Sequence, residues 1–165
     1  MKNIEIKAKV DNTDFLRTVL KSNNAEFKGI DFQTDTYFIV NNGRLKLREG
    51  NIENSLIYYK RDNLSGPKKS EVILFKNVND ESLKNILLNV FEVKKVVRKK
   101  REIYFIDNVK FHIDEVENLG SFFEIEVIDY NDSMPDSEMK NVCTGYMDLF
   151  RITKNNLISE SYSDF

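Results

Sequence analysis

Apolar and polar residues alternate with a period of two along most of this chain, and three times the pattern lengthens to a helical period. A period of two sends successive side chains to opposite faces of a strand, whereas recurrence at three and four residues builds one face of a helix. The opening "NIEIKAKV" alternates; behind Asp11 and Thr13 as candidate caps, Phe15, Leu16, Val19 and Leu20 then recur at helical spacing up to Asn24. "FQTDTYFIV", "RLKLRE" and "SLIYYKR" follow as three strand-like runs, divided by "NNG" and "GNIEN", whose Gly and Asn suit hairpin turns. Residues 62–70, "DNLSGPKKS", combine Gly-Pro with polar residues and read as a mobile loop, after which "EVILFK" is extended again. A polar cap with Leu83, Ile86, Leu87 and Val90 at helical spacing predicts a second helix over 79–91. "KKVVRKKREIYFI", "VKFHIDEV" and "SFFEIEVI" give three more strands, and Met139, Val142, Cys143, Tyr146, Leu149 and Phe150 space out a third helix. The ending "NNLISESYSDF" reads as a short polar tail.

About eight strands with mostly hairpin connections, and three helices, predict an α+β fold with a large antiparallel sheet. Eight strands are enough to close a barrel. The 165 residues, 41% of them apolar, suit one domain over 1–165 whose core needs no disulfide or metal staple.

Charge changes the picture only locally. A net charge of -2, from 25 Lys and Arg against 27 Asp and Glu, gives no general reason to expect nucleic acid or membrane as a partner. "MKNIEIK" lacks the hydrophobic run of a signal peptide, and no stretch nears the roughly 20 apolar residues of a membrane span. With Cys143 as the single cysteine, placed in an apolar helical pattern as a core residue, a reduced cytoplasmic protein is expected. His112 is also single, so no Cys/His zinc constellation or Cys–His nucleophile pair can form, and any metal takes oxygen ligands.

The charged residues share a phase within their strands. In "GRLKLREG" Arg44, Lys46 and Arg48 oppose Leu45 and Leu47; in "NIEIK" Asn3, Glu5 and Lys7 oppose Ile4 and Ile6. Lys60 is in phase with Tyr58 and Leu56, Lys99 and Arg101 with Val97, His112 with Asp114, and Glu124 with Glu126. Any one such strand is ordinarily a solvated sheet face. Six together, with three amphipathic helices to cover the apolar faces, predict a barrel with a polar, charged lumen. Seven cations (Lys7, Arg44, Lys46, Arg48, Lys60, Lys99, Arg101) against four carboxylates (Glu5, Asp114, Glu124, Glu126) would repel one another and call for an anion. A linear triphosphate suits the Arg and Lys set, and Mg²⁺ or Mn²⁺ would join it to the carboxylates.

Taken in order, "NIEIK", "GRLKLRE", "LIYYKR", "VRKKR" and "HIDEVENLGSFFEIE" resemble the motifs of the CYTH or triphosphate tunnel metalloenzyme superfamily, over most of the chain. "QTDTYF", "LIYYKRDNLSGPKKS" and "GYMDLF" are most similar to its class IV adenylyl cyclase branch. The resemblance implies an eight-stranded antiparallel tunnel that binds a nucleoside triphosphate or polyphosphate with Mg²⁺ or Mn²⁺, and at family level a homodimer. It assigns Lys7, Arg44, Lys46, Arg48, Lys60, Lys99 and Arg101 to phosphate, with Lys7 and Lys60 neutralising the leaving group, and Glu5, Asp114, Glu124 and Glu126 to metal. It leaves two reactions open: attack of a ribose 3′-hydroxyl at the α-phosphorus, giving cyclic AMP and pyrophosphate, or hydrolysis of inorganic tripolyphosphate, a nucleoside triphosphate or thiamine triphosphate. A non-catalytic module that binds nucleotide or polyphosphate is the third reading.

Asn3 departs from the family pattern, which has Glu there; the amide offers a metal an oxygen but no charge and no base. Gly145, where similar proteins often carry Ser, bears on helix packing more than on chemistry. His112 is expected to serve as a hydrogen-bonding residue rather than in proton transfer.

Overall fold

The computed structural model describes residues 1–61, 63–76 and 80–165. The chain runs β1 (Lys2–Lys9), α1 (Thr13–Ser22), β2 (Glu26–Phe38), β3 (Arg44–Glu49), β4 (Ser55–Arg61), β5 (Lys68–Lys76), α2 (Glu81–Val90), β6 (Val93–Ile106), β7 (Val109–Val116), β8 (Gly120–Asp129) and α3 (Asp136–Leu149). All eight strands pair antiparallel and close into a barrel in the order β1-β5-β4-β3-β2-β6-β7-β8.

Alternation decides which side of the wall each residue takes. The outward residues of β1, β7 and β8, among them Ile4, Ile6, Phe111, Ile113, Phe123, Ile125 and Val127, form the main core with Leu16 and Leu20 of α1 and Met139, Cys143 and Met147 of α3. On the opposite wall Leu87 of α2 packs on Phe38 and Leu47, so α2 covers β2 and β3. The helices therefore lie outside the barrel, and the charged phase of each strand is left to the lumen.

Local differences from the sequence expectation are small. Asn12, rather than Asp11 or Thr13, caps α1 by accepting from the Phe15 N–H at 3.0 Å. Asp80 caps α2 through the Ser82 N–H at 2.7 Å; of the helix expected over 79–91, Asn79 lies outside the described residues. Gly29, at φ +132, allows a bulge near the start of β2 that a side chain would strain, and beyond it Asp31, Gln33, Asp35 and Tyr37 share the lumen phase. The loop expected over 62–70 is shorter than read: β5 starts at Lys68, and Asp62 lies outside the described residues.

The tail is part of the architecture. Leu157 bridges to Ala8, the Ile158 N–H bonds the Lys7 carbonyl at 2.9 Å, and Lys68 Nζ donates to the carbonyls of Ile158 and Ser159 at 3.0 and 3.1 Å. A short 3₁₀ turn (Tyr162–Asp164) then pushes Tyr162, 2% exposed, into a cluster with Tyr37, Val97, Val116 and Phe122. That cluster stoppers the end of the barrel at which β3 begins and β4 ends.

Candidate functional site

The lumen is a cavity of about 760 Å³, with Tyr162 and Ser161 at its stoppered end and Met1, Asn3, Phe105, Ile128 and Tyr130 towards the other. Lys7, Lys46, Arg48, Lys99, Arg101, Glu5, Glu124 and Glu126 all line it, from the four strands β1, β3, β6 and β8. Three residues of the expected set do not. Arg44 is held at the stoppered end by Asn63 at 2.8 Å and Asp164 at 3.3 Å. Asp114, fully buried, spends its carboxylate on Arg101 and on the Tyr162 hydroxyl at 2.9 Å.

Lys60 is the clear correction: it is exposed on the outside of the wall. Register fixes this, because Arg48, Lys46 and Arg44 pair with Ser55, Ile57 and Tyr59, so the lumen phase of β4 ends on Arg61. "SLIYYKR" has bulky apolar residues in both phases, which is why phase alone misassigned it.

Two walls of the lumen differ in how their charges are satisfied. On β2, flanked by β3 and β6, Asp35 accepts from Arg48 in a fork at 2.8 and 2.9 Å, from Lys46 at 3.1 Å and from Lys99 at 3.0 Å. Burial alone would raise its carboxyl, but Arg48, Lys46 and Lys99 outweigh burial and hold it well below the usual carboxylate range. Lys99 pays for its burial: with Arg101 nearby, its ammonium is pushed down to about 7. Glu53, from the turn between β3 and β4, accepts from Arg48 at 2.9 Å, Gln33 at 3.1 Å and Lys110. Asp31 anchors that turn through the Ile52 and Glu53 N–H groups at 2.9 and 3.0 Å. The turn needs glycine at Gly50, where a Cβ would lie 2.5 Å from Asp31 Oδ1.

On the other side β1, β8 and β5 are adjacent, and their register sets Glu5 opposite both Glu126 and Lys68, and Lys7 opposite Glu124. Glu124 is ion-paired to Arg101 at 2.8 Å and Lys7 at 3.4 Å and meets His112 Nδ1 at 3.0 Å, while Arg61 reaches Glu5. Because a carboxylate only accepts, that contact makes Nδ1 the protonated nitrogen of the neutral ring. Burial, with Arg101 and Lys110, pushes the His112 pKa down to about 3, so the ring is neutral. Glu126 has the Asn3 amide as its side-chain donor, and burial raises its pKa. Asn3 Oδ1, Ser70 Oγ, His112 Nε2 and two Arg61 nitrogens are buried without hydrogen-bond partners.

This wall carries the donor chemistry of a hard divalent cation: in Glu126 a carboxylate with no ion-pair partner among the described residues, a second one opposite in Glu5, and the unpaired Asn3 oxygen. Among the described residues no three His, Cys, Asp or Glu side chains stand together at ligating distance.

The expected count of seven cations against four carboxylates also changes. Arg61, Lys110 and Glu53 join the cavity lining, and Asp31 and Asp35 stand buried in the wall behind it, so the wall is largely ion-paired rather than bare cation. Gln33, Asp35 and Tyr37 were readable, since "FQTDTYF" carries them at every second position. The tail gave no signal that Tyr162 would enter the barrel.

An eight-stranded antiparallel tunnel with an ion-paired lumen defines the class of this protein. The CYTH domain matches residues 1–144, and the chain belongs to that family, the triphosphate tunnel superfamily. A Methanocaldococcus jannaschii protein named "putative adenylate cyclase" is 31% identical over 180 aligned positions, covering 98% of this chain and 97% of the relative. The PH1012 protein of Pyrococcus horikoshii has a solved structure that superposes with a TM-score of 0.83 at 26% identity over 98% of each chain. A Hippeastrum protein described as a "putative adenylyl cyclase" with "a dominant triphosphatase activity" shares the fold at a TM-score of 0.58 and 14% identity, over 96% of this chain and 91% of the other.

Proposed function

We propose that this chain binds a nucleoside triphosphate in the tunnel and acts as a metal-dependent adenylyl cyclase of the class IV type, converting ATP to cyclic AMP and pyrophosphate. The observation that carries the reading is one cavity that sets Lys46, Arg48, Lys99 and Arg101 against the acids Glu5 and Glu126, with Tyr162 packed at one end. Phosphoryl chemistry asks mainly for positioning and charge stabilisation, and this lumen supplies both sets of partners.

The stopper favours phosphates inward and the nucleoside at the mouth, where Phe105, Ile128 and Tyr130 offer apolar contact. In that pose Lys46, Arg48, Lys99 and Arg101 hold phosphate oxygens, and the unpaired N–H groups of Arg61 supply further donors. Lys7, buried between Glu124 and the Tyr162 ring, neutralises charge on the leaving group. Glu5, Glu124, Glu126 and the Asn3 oxygen are the groups to hold Mg²⁺ or Mn²⁺, which when bound neutralises phosphate charge and makes the attacking hydroxyl more acidic. The name of the Methanocaldococcus relative supports placing cyclisation first.

The second reading is hydrolysis at the terminal phosphorus, and the same stopper favours it, since in this pose the terminal phosphate lies deepest, towards Lys7. A phosphorus NMR time course with ATP and with tripolyphosphate, each with Mg²⁺ or Mn²⁺, separates the two. Pyrophosphate appearing with cyclic AMP is the expected result. Orthophosphate from either substrate makes the chain a triphosphatase, and no turnover with either points to a binding module or to another triphosphate substrate.

A further inference from the structure

Asp35 is fully buried and lies outside the cavity lining, yet the three cations that grip it, Lys46, Arg48 and Lys99, all line the cavity. The carboxylate therefore stands behind the cations, in the wall, with their head groups between it and the lumen. Its strand sits between the two that carry them, so each cation reaches it from the side, and one oxygen, Oδ2, receives three donors at 2.9 to 3.1 Å. Four N–H contacts on one carboxylate is the environment of a bound phosphate rather than of a simple ion pair.

We infer that Asp35 is a positioning residue, a counterion fixed in the wall that holds three cations in one arc and caps the strength with which the tunnel grips an anion. A ligand cannot displace a group that it cannot reach. It meets cations already compensated by one charge, so part of their attraction is cancelled before the ligand arrives. The inference rests on the reading of the tunnel as a polyanion site and goes beyond it by assigning the charge that limits its affinity.

Two roles for Asp35 predict opposite outcomes. If it only braces the cations, removing its charge loosens them and anions bind more weakly. If it is the counterion, Asp35→Asn, which keeps the shape, unmasks the Arg48 charge, and at a pH low enough to keep Lys99 protonated anions bind more tightly. The experiment is calorimetric titration of the metal-free protein with tripolyphosphate and, separately, orthophosphate. Asp35→Asn is expected to lower both dissociation constants about tenfold. Lys99→Gln is expected to raise them by a similar factor, and the double variant to return within about threefold of the starting protein, since it restores the charge balance without leaving a buried lone cation. The double variant also covers the case in which Asp35→Asn alone does not fold.

Weaker or unchanged binding in Asp35→Asn, or a double variant as weak as Lys99→Gln, overturns the inference. If the unaltered chain binds neither anion while Asp35→Asn binds both, the counterion stands and the proposed function falls; if neither protein binds, both fall.

Discussion

The Asp35 wall and the Glu126 wall face each other across one lumen and solve the problem of buried charge in opposite ways. On the first, every donor that reaches Asp35 finds its acceptor, and the carboxyl is held well below its ordinary pKa. On the second, Glu126 has no ion-pair partner among the described residues, burial raises its pKa against the pull of Lys110, and Asn3 Oδ1 and Ser70 Oγ are left without partners. A buried polar group without a partner costs more than a paired one returns. On the first wall only Gln33 Oε1 is left without a partner among the described residues, and its ionic groups are paired as folded; the second keeps several polar atoms free.

The contrast breaks most severely at Arg101, which is 3% exposed and joins the walls by holding both Asp114 and Glu124. Arg101→Ala leaves two buried carboxylates facing each other and should cost ~3–5 kcal/mol in urea unfolding. Acid separates the walls next. The folded pKa of Asp35 is depressed, so its stabilisation is present above the unfolded value and is lost as pH falls through the folded one. Glu126 has the opposite sign: its folded pKa is raised, so its ionisation destabilises the fold as pH rises from the unfolded value through the folded one. Glu126→Gln should therefore stabilise the metal-free protein at neutral pH, by up to about 1 kcal/mol, while abolishing turnover. Thermal unfolding from acid to neutral pH should show the acid limb retained and the loss above it relieved in that variant.

Asn3→Glu sharpens the acidic wall by returning a charge to it. About tenfold tighter Mn²⁺ binding by titration is the expected gain, together with higher metal-dependent activity. The smallest effect belongs to Lys60→Ala. Exposed on the outer face, Lys60 should change stability by less than about 0.5 kcal/mol and leave turnover within twofold. A large loss of turnover in that variant would mean that β4 presents the other face to the lumen.

How far the fold could be read from the chain depended on strand and helix periods. Where a strand put apolar residues in one phase only, as in "NIEIK" or "FFEIEV", the lumen residues Glu5, Lys7, Glu124 and Glu126 followed directly. Where both phases were apolar, as in "SLIYYKR", the neighbouring strand decided, and that register cannot be read within one strand. Lys68 sat in a segment with turn composition, so its place on β5 depended on pairing with β1 and on tail carbonyls 90 and 91 residues away. Tyr162 had no periodic context at all. Its burial comes from a tertiary cluster, which local patterning does not encode.

That stopper has a kinetic consequence. If Tyr162 closes its end of the tunnel to a ligand, entry and, under the proposed function, product release share one doorway. For a substrate lying phosphates inward, geometry then fixes a queue: the fragment nearest the mouth departs first, and the inner phosphate fragment leaves last. Until the inner fragment goes, the next substrate is barred, so that fragment should compete with incoming substrate while the outer one does not.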